Sequence, residues 1–155
     1  MAFYQLFRTQ KIPASVDEVW EFISSPSNLK RITPPYMGFD IITENLPARM
    51  YPGMIIGYKV KPAFGLKMNW LTEITQVSEK EFFIDEQRIG PYKIWHHQHR
   101  IKALDKGVLM TDLVTYVPPL AFLGAIANRI MIKNKLNEIF DYRNKMLIEI
   151  FGPFE

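Results

Sequence analysis

Cysteine is absent from the 155 residues. That excludes disulfides, thiolate nucleophiles and every cysteine-based metal site, and it fits a reducing compartment. Runs of lysine and arginine are lacking too. With 19 basic and 16 acidic residues the net charge is only +3, far from the signature of a nucleic-acid arm. Long hydrophobic runs are missing: the longest, Leu120 to Ile132, is interrupted by Asn128 and Arg129 and is too short to span a bilayer. The opening MAFYQLFRTQ is polar where a signal peptide is continuously apolar. There is no phosphate-binding glycine loop, no dinucleotide fingerprint and no G-x-S-x-G elbow. Ser15, Ser24, Ser25 and Ser27 fit helix caps better than nucleophiles. These absences predict a cytoplasmic protein with no nucleic-acid partner, no stable membrane insertion and no cofactor.

What is present is apolar and aromatic material. Hydrophobic residues make up 48% and aromatics 14%, enough to fill a core or line a pocket. The length predicts one domain over residues 1–155. Its most organised stretch runs from Pro119 to Phe151. Leu123, Ile126, Ala127 and Ile130 recur at helical spacing, and Leu136, Ile139, Phe140, Arg143, Leu147 and Ile150 continue the stripe. Gly152-Pro153 ends it. A helix of about 30 residues is about 45 Å long and needs a broad apolar surface beneath it.

The rest of the chain is patterned to supply that surface as β-sheet. Residues 3–12 are rich in strand formers, although neither alternating face is purely apolar. Ser15-Val16-Asp17-Glu18 matches a capping box and starts a short helix that reaches about Ser25. Ser27 can cap a second short helix, closed by Thr33-Pro34-Pro35. Strand patterns then follow near 39–43, 53–60, 66–77, 81–89, 92–103 and 108–117. The last two are joined by Asp105-Lys106-Gly107, a hairpin signal. About seven strands with short links favour an antiparallel meander. The fold class is therefore α+β: a curved antiparallel sheet wrapped around a long C-terminal helix, with two short helices between the first two strands. Space left between sheet and helix is filled by side chains or becomes a ligand cavity.

Alternation also sorts the chemistry. Trp95, His97, His99 and Ile101 share the more apolar face of their strand and are assigned inward. Met110, Asp112, Val114 and Tyr116 form the matching face of the next strand, and Phe83, Asp85 and Gln87 that of the preceding one. Tyr58 and Trp70 join them from earlier strands. Two histidines, two carboxylates, Gln87 and Tyr116 then meet inside an apolar sheet, which is costly unless they bond one another or a ligand. Three readings follow. The cluster is a self-satisfied network, with His99 bonded across the strands to Asp112. Alternatively, it is a polar patch at the floor of an apolar pocket. As a third reading, His97-x-His99 with Asp112 forms a metal set, but H-x-H on a strand is a weak signal and no metal is assigned. Arg143 breaks the apolar helix stripe and is expected to pair internally with Asp85 or Asp112. Tyr36, Met37, Phe64, Leu66, Leu120 and Phe122 fall in or beside loops.

The order of elements resembles the START-like helix-grip superfamily, also called SRPBCC, over essentially the whole chain. The likeness is sharpest at Ile32-Thr33-Pro34-Pro35, at Asp85-Glu86-Gln87 with Gly90-Pro91-Tyr92, and at Trp95-His96-His97-Gln98-His99. It continues through Met110–Tyr116 and Ile139–Arg143. These strings are similar to a bacterial subgroup found alone or fused to an epimerase-like domain once labelled a cell-division inhibitor. The resemblance implies a deep apolar cavity and brings no metal. It does not imply one activity, since the superfamily holds binders and enzymes. The preferred reading is a binder or carrier of a hydrophobic small molecule, such as a lipid, quinone or polyketide-like aromatic. Its ligand contacts are expected from Tyr58, Trp70, Phe83, Asp85, Gln87, Trp95, His97, His99, Met110, Asp112 and Tyr116. The alternatives are a cyclase or dehydratase using His97, His99 and Asp112, and a protein-interaction module.

Overall fold

The structure is a computed structural model that describes residues 3–61, 66–118 and 131–155. Seven strands form one antiparallel sheet: β1 (Tyr4–Ile12), β2 (Asp40–Ile41), β3 (Met54–Val60), β4 (Met68–Ser78), β5 (Phe82–Ile89), β6 (Ile94–Leu104) and β7 (Gly107–Val117). Their spatial order is β1-β7-β6-β5-β4-β3-β2. The meander from β2 to β7 is therefore closed on one side by the first strand, which pairs with the last. Between β1 and β2 lie helix α1 (Val16–Ile23) and two 3₁₀ segments, Pro26–Ile32 and Pro35–Met37. The C-terminal helix α2 runs from Lys133 to Phe151. The architecture is α+β helix-grip.

Local chemistry explains the short elements. Ser15 caps α1 as expected: its hydroxyl accepts from the Glu18 N–H, and the Glu18 carboxylate accepts from the Ser15 N–H at 2.9 Å. The second short helix is 3₁₀ rather than α. Its tight turns run only from Pro26 to Ile32, where Thr33, forced extended by Pro34, ends it.

Alternation sets the sheet faces. In β7 every inward residue from Val108 to Tyr116 is buried, and in β3 Met54, Ile56, Tyr58 and Val60 are. β1 shows why its pattern was ambiguous: Phe7 lies on the outer face and is 63% exposed, while Ile12 is buried. β4 changes register against β5 between Ile74 and Gln76. Such a bulge shifts the inward set by one residue, so Val77 rather than Gln76 meets the core, opposite Phe83.

α2 does not lie over the middle of the sheet. It packs along β1, where Arg8 Nη2 donates to Asn137 at 2.8 Å and Gln10 Nε2 to the Asn144 carbonyl at 3.1 Å. Leu136 and Phe140 cover Val114 and Tyr116 of β7. Leu147 joins a second cluster with Ile12, Val19, Trp20, Phe83 and Met110. Among the described residues the helix thus packs closely on the β1–β7 side and stands off from the β3–β6 side. The stretch expected to begin the helix, 119–130, lies outside the described residues, as does Phe64.

Candidate functional site

The space between α2 and strands β3 to β6 is a cavity of about 640 Å³. Tyr58 and Val60 of β3, Trp70, Thr72 and Ile74 of β4, Phe83 and Asp85 of β5, and Trp95, His97 and His99 of β6 form its sheet wall. Leu29, Thr33, Met37 and Phe39 close one end, with Met50. Ile132, Leu136, Ile139, Phe140 and Arg143 supply the helix wall. Lys135 and Glu138 also reach it, and Glu138 is half exposed, so the cavity meets the surface at the first turns of α2. Lys135 Nζ sits 3.8 Å from the centre of the Tyr36 ring there.

Of the residues the sequence singles out, Tyr58, Trp70, Phe83, Asp85, Trp95, His97 and His99 face this cavity. Met110, Asp112 and Tyr116 share the inward face but lie under the helix or behind the histidines. Alternation tells which face a side chain takes, not what is laid over it. Gln87 turns to the chain instead. Its amide donates to the Tyr92 carbonyl at 2.6 Å and its carbonyl accepts from the Tyr92 N–H at 3.2 Å, bracing the Gly90-Pro91 turn. Tyr92 itself lines the cavity and packs on Trp95 at 4.9 Å between ring centres. The sequence pattern puts it at the head of the 92–103 strand and not among the ligand contacts; the strand begins at Ile94, and Tyr92 lies in the turn before it. Trp70 meets Trp95 edge to face at 5.3 Å, and its indole N–H donates to Thr72 Oγ1 at 3.0 Å. The wall is therefore aromatic and internally satisfied.

One part of the wall is polar. In register, Asp85 stands opposite His97 and His99 opposite Asp112. The hydrogen bonds run diagonally instead. His97 Nε2 lies 2.8 Å from Asp112 Oδ1, and His99 Nε2 lies 2.7 Å from Asp85 Oδ2. His99 Nδ1 is 3.2 Å from Asp112 Oδ1, and His97 Nδ1 is 3.6 Å from Asp85 Oδ2. Two imidazoles, 3.6 Å apart between centres, are thus bracketed by two carboxylates. Phe83 stacks on the outer side of His99 at 4.1 Å, and Phe140 meets His97 at 5.6 Å. Arg143 reaches down from α2 and donates from Nη1 to Asp112 Oδ1 at 2.8 Å. This is the internal pair expected of it. The predicted His99–Asp112 contact is present at the longer distance, secondary to the diagonal pair.

The environment separates the two histidines electrically. Burial and the neighbouring His99 charge lower His97 to about 4, so it is neutral at pH 7. Burial also opposes charge on His99, but hydrogen bonds to Asp112 and Asp85 outweigh it and hold His99 above the usual imidazole range. Asp112 is buried, which alone would raise it. Arg143 and the two imidazoles hold it well below the usual carboxylate range instead. Asp85 is lowered against its burial by its bond to His99 and the charges of His97, His99 and Arg143. His96, on the other face, pairs outside the cavity with Glu86 at 2.8 Å.

One ligating atom from each of Asp85, His97 and His99 lies within 4.8 Å of the other two. This is the group among the described residues with metal-binding proximity. Asp112 is not part of it, because it sits on the far side of both rings.

Solved structures share this fold. Protein CV1439 of Chromobacterium violaceum superposes with a TM-score of 0.71 at 15% identity, covering 97% of this chain and 99% of its own. Protein Ms6760 of Mycobacterium smegmatis gives a TM-score of 0.65 at 19% identity, with 94% and 92% covered. The nucleoside-diphosphate sugar epimerase of Corynebacterium glutamicum gives a TM-score of 0.64 at 24% identity. The match takes 93% of this chain but only 28% of that larger protein. No curated protein matches the sequence. Among the described residues no helix is long and apolar enough to cross a membrane. Residues 12–139 match the family described as polyketide cyclase/dehydrase and lipid transport, and the chain belongs to that family.

Proposed function

We propose that residues 1–155 act as one binding unit that holds or carries a hydrophobic small molecule in the cytoplasm. The observation that carries this reading is the hollow of about 640 Å³ between sheet and helix. That volume lies inside the range of small-molecule sites, and such sites are mostly apolar with a few placed polar groups. Here Leu29, Met50, Tyr58, Trp70, Phe83 and Trp95 supply the apolar wall, and Asp85 with the two histidines supplies the polar one. An amphiphile with one polar end fits: a lipid, a quinone or a polyketide-like aromatic. Its body would lie against the aromatics and its polar end against Asp85 and His97. Gln87, Met110, Asp112 and Tyr116 support the wall from behind rather than touch the ligand. A hollow interior also favours a binder over a pure protein-interaction module. The cyclase- or dehydratase-type alternative uses His97, His99 and Asp112 with a carboxylate fixing an imidazole tautomer, and the 2.8 Å contact of His97 Nε2 with Asp112 Oδ1 is compatible with it.

Native mass spectrometry of freshly purified protein, followed by organic extraction, tests this. An apolar molecule retained at one per chain, or one-to-one binding of a fluorescent fatty-acid probe that lipid or quinone displaces, is the expected result. Failure of any such probe to bind a folded, delipidated chain would overturn the reading.

A further inference from the structure

We propose that Asp85, His97 and His99 bind a divalent first-row transition metal ion on the cavity wall, leaving coordination positions open to an oxygen donor of the bound molecule. The argument starts from how the imidazoles divide their nitrogens. Each ring turns one nitrogen to Asp85 and the other to Asp112. Asp112 is electrostatically committed, because Arg143 and both rings converge on its Oδ1. Asp85 is not: among the described residues its ion-pair partners are His97 and His99 alone. Asp112 accepts from both rings, and the proton that His99 Nε2 shares with Asp85 Oδ2 at 2.7 Å is the one a metal ion would displace, leaving His97 Nδ1 and His99 Nε2 as lone pairs beside the Asp85 carboxylate. The metal then takes the place of that proton between two nitrogens and one anion, so its binding releases a proton.

The spacing suits an ion. Metal–nitrogen and metal–oxygen bonds near 2.0–2.2 Å put neighbouring ligand atoms about 3.3 Å apart in a tetrahedral site. His97 Nδ1 stands 3.6 Å from Asp85 Oδ2, close to that value, while His99 Nε2, hydrogen-bonded to the same oxygen at 2.7 Å, has to draw back by about 0.6 Å once the ion replaces the shared proton. Two imidazoles and one carboxylate form a donor set for Zn²⁺, Fe²⁺ or Co²⁺ with positions to spare. All three residues line the cavity, so those positions open toward it. The ligands stand on adjacent central strands in fixed register, and Phe83 and Phe140 pack against the rings, so the set is held before any ion arrives. Asp112 then does what carboxylates behind metal-bound histidines do: it fixes the ring orientation and makes the ligating nitrogen more basic. A bound ion would favour molecules with an anionic or chelating oxygen, such as a carboxylate, an enol or a hydroxyketone. The site deepens the binding reading above by naming what the polar wall holds.

The full-length protein, stripped with chelator and dialysed, is titrated with Zn²⁺ by calorimetry and with Co²⁺ by visible absorption. Saturation at one equivalent, d–d bands from Co²⁺ and a raised Tm are expected. Asp85→Asn and His99→Gln should each weaken binding at least about 100-fold, and Asp112→Asn about 10- to 100-fold. His96→Ala should leave binding unchanged, since His96 faces Glu86 on the opposite side. Lack of a saturable one-to-one site overturns the proposal. So does binding that survives Asp85→Asn but is lost in His96→Ala. Should a variant not fold, nitrogen-15 imidazole spectra of the wild type decide: Zn²⁺ must move His97 Nδ1 and His99 Nε2, and shifts confined to His96 refute the site. Only the metal is titrated, so a negative result leaves the apolar-ligand reading standing, and absence of an apolar ligand leaves this one standing.

Discussion

Arg143 Nη1 and Asp112 Oδ1, 2.8 Å apart, join the C-terminal helix to β7 through an ion pair whose side chains are 12% and 4% exposed. Breaking one member of a buried pair strands the other charge, which typically costs about 3–5 kcal/mol. Asp112 keeps its two imidazole contacts when Arg143 is lost, so the lower end applies. Arg143→Met should cost about 3 kcal/mol in urea unfolding. The double variant with Asp112→Asn should cost less than the sum of the two single variants, because the stranded charge is gone as well. Strict additivity would show that the pair contributes nothing to holding the helix on the sheet.

Gln87 belongs to the scaffold of the cavity, through Tyr92. Its two hydrogen bonds to the Tyr92 backbone hold that ring among Trp70, Trp95 and Tyr116. At about 1 kcal/mol per bond, Gln87→Ala should destabilise by about 1–2 kcal/mol. Near-UV circular dichroism should change as the aromatic cluster loosens, and affinity for an apolar probe should fall several-fold. Gly90 leaves room for the Gln87 side chain: a Cβ there would collide with the Gln87 carboxamide. Gly90→Ala should therefore reproduce the spectral change of Gln87→Ala. An unchanged spectrum in both would separate Tyr92 from this brace.

What the sequence disclosed, and what it hid, follows from the range of each signal. Alternation is local, so the inward faces of β3, β6 and β7 could be read directly, His97 and His99 included. The capping box at Ser15 and Glu18 was legible for the same reason. Position above the sheet was not. Met110, Asp112 and Tyr116 follow the same alternation as His97, and the path of α2 along β1, with the two imidazoles in front of Asp112, separates them from the cavity. Bond partners within the cluster were equally hidden. Register pairs His99 with Asp112, but a side chain several ångströms long reaches the diagonal neighbour as readily, and His99 takes Asp85 more closely. Met50, in a loop, had no periodicity to mark it, and Tyr92 was drawn into a strand pattern that in the structure starts only at Ile94.

Gly107 makes the β6–β7 hairpin close against β1. Its φ is +99°, and an added Cβ would run into the Ile12 carbonyl oxygen. Both the left-handed backbone and the contact with main chain resist relaxation, because β1 is paired along its whole length to β7. Gly107→Ala should destabilise by about 3 kcal/mol. Hydrogen exchange should show faster opening at Ile12 and Val108, which pair across the two strands. Wild-type stability in that variant would mean the turn can rearrange freely.

The cavity itself is testable by filling it. Ile139 projects from α2 into the hollow and is only partly buried, facing the aromatic wall of the sheet. A tryptophan there adds volume where space already exists, so it avoids the overpacking cost of a dense core. Ile139→Trp should lower affinity for an apolar probe at least about tenfold while Tm moves by only a few degrees. Ile148→Trp is the matching control: that side chain is 44% exposed and does not line the cavity. It adds the same mass to the same helix without entering the hollow. Probe titrations on the two variants should therefore diverge, and equal affinities would place the bound molecule somewhere other than between sheet and helix.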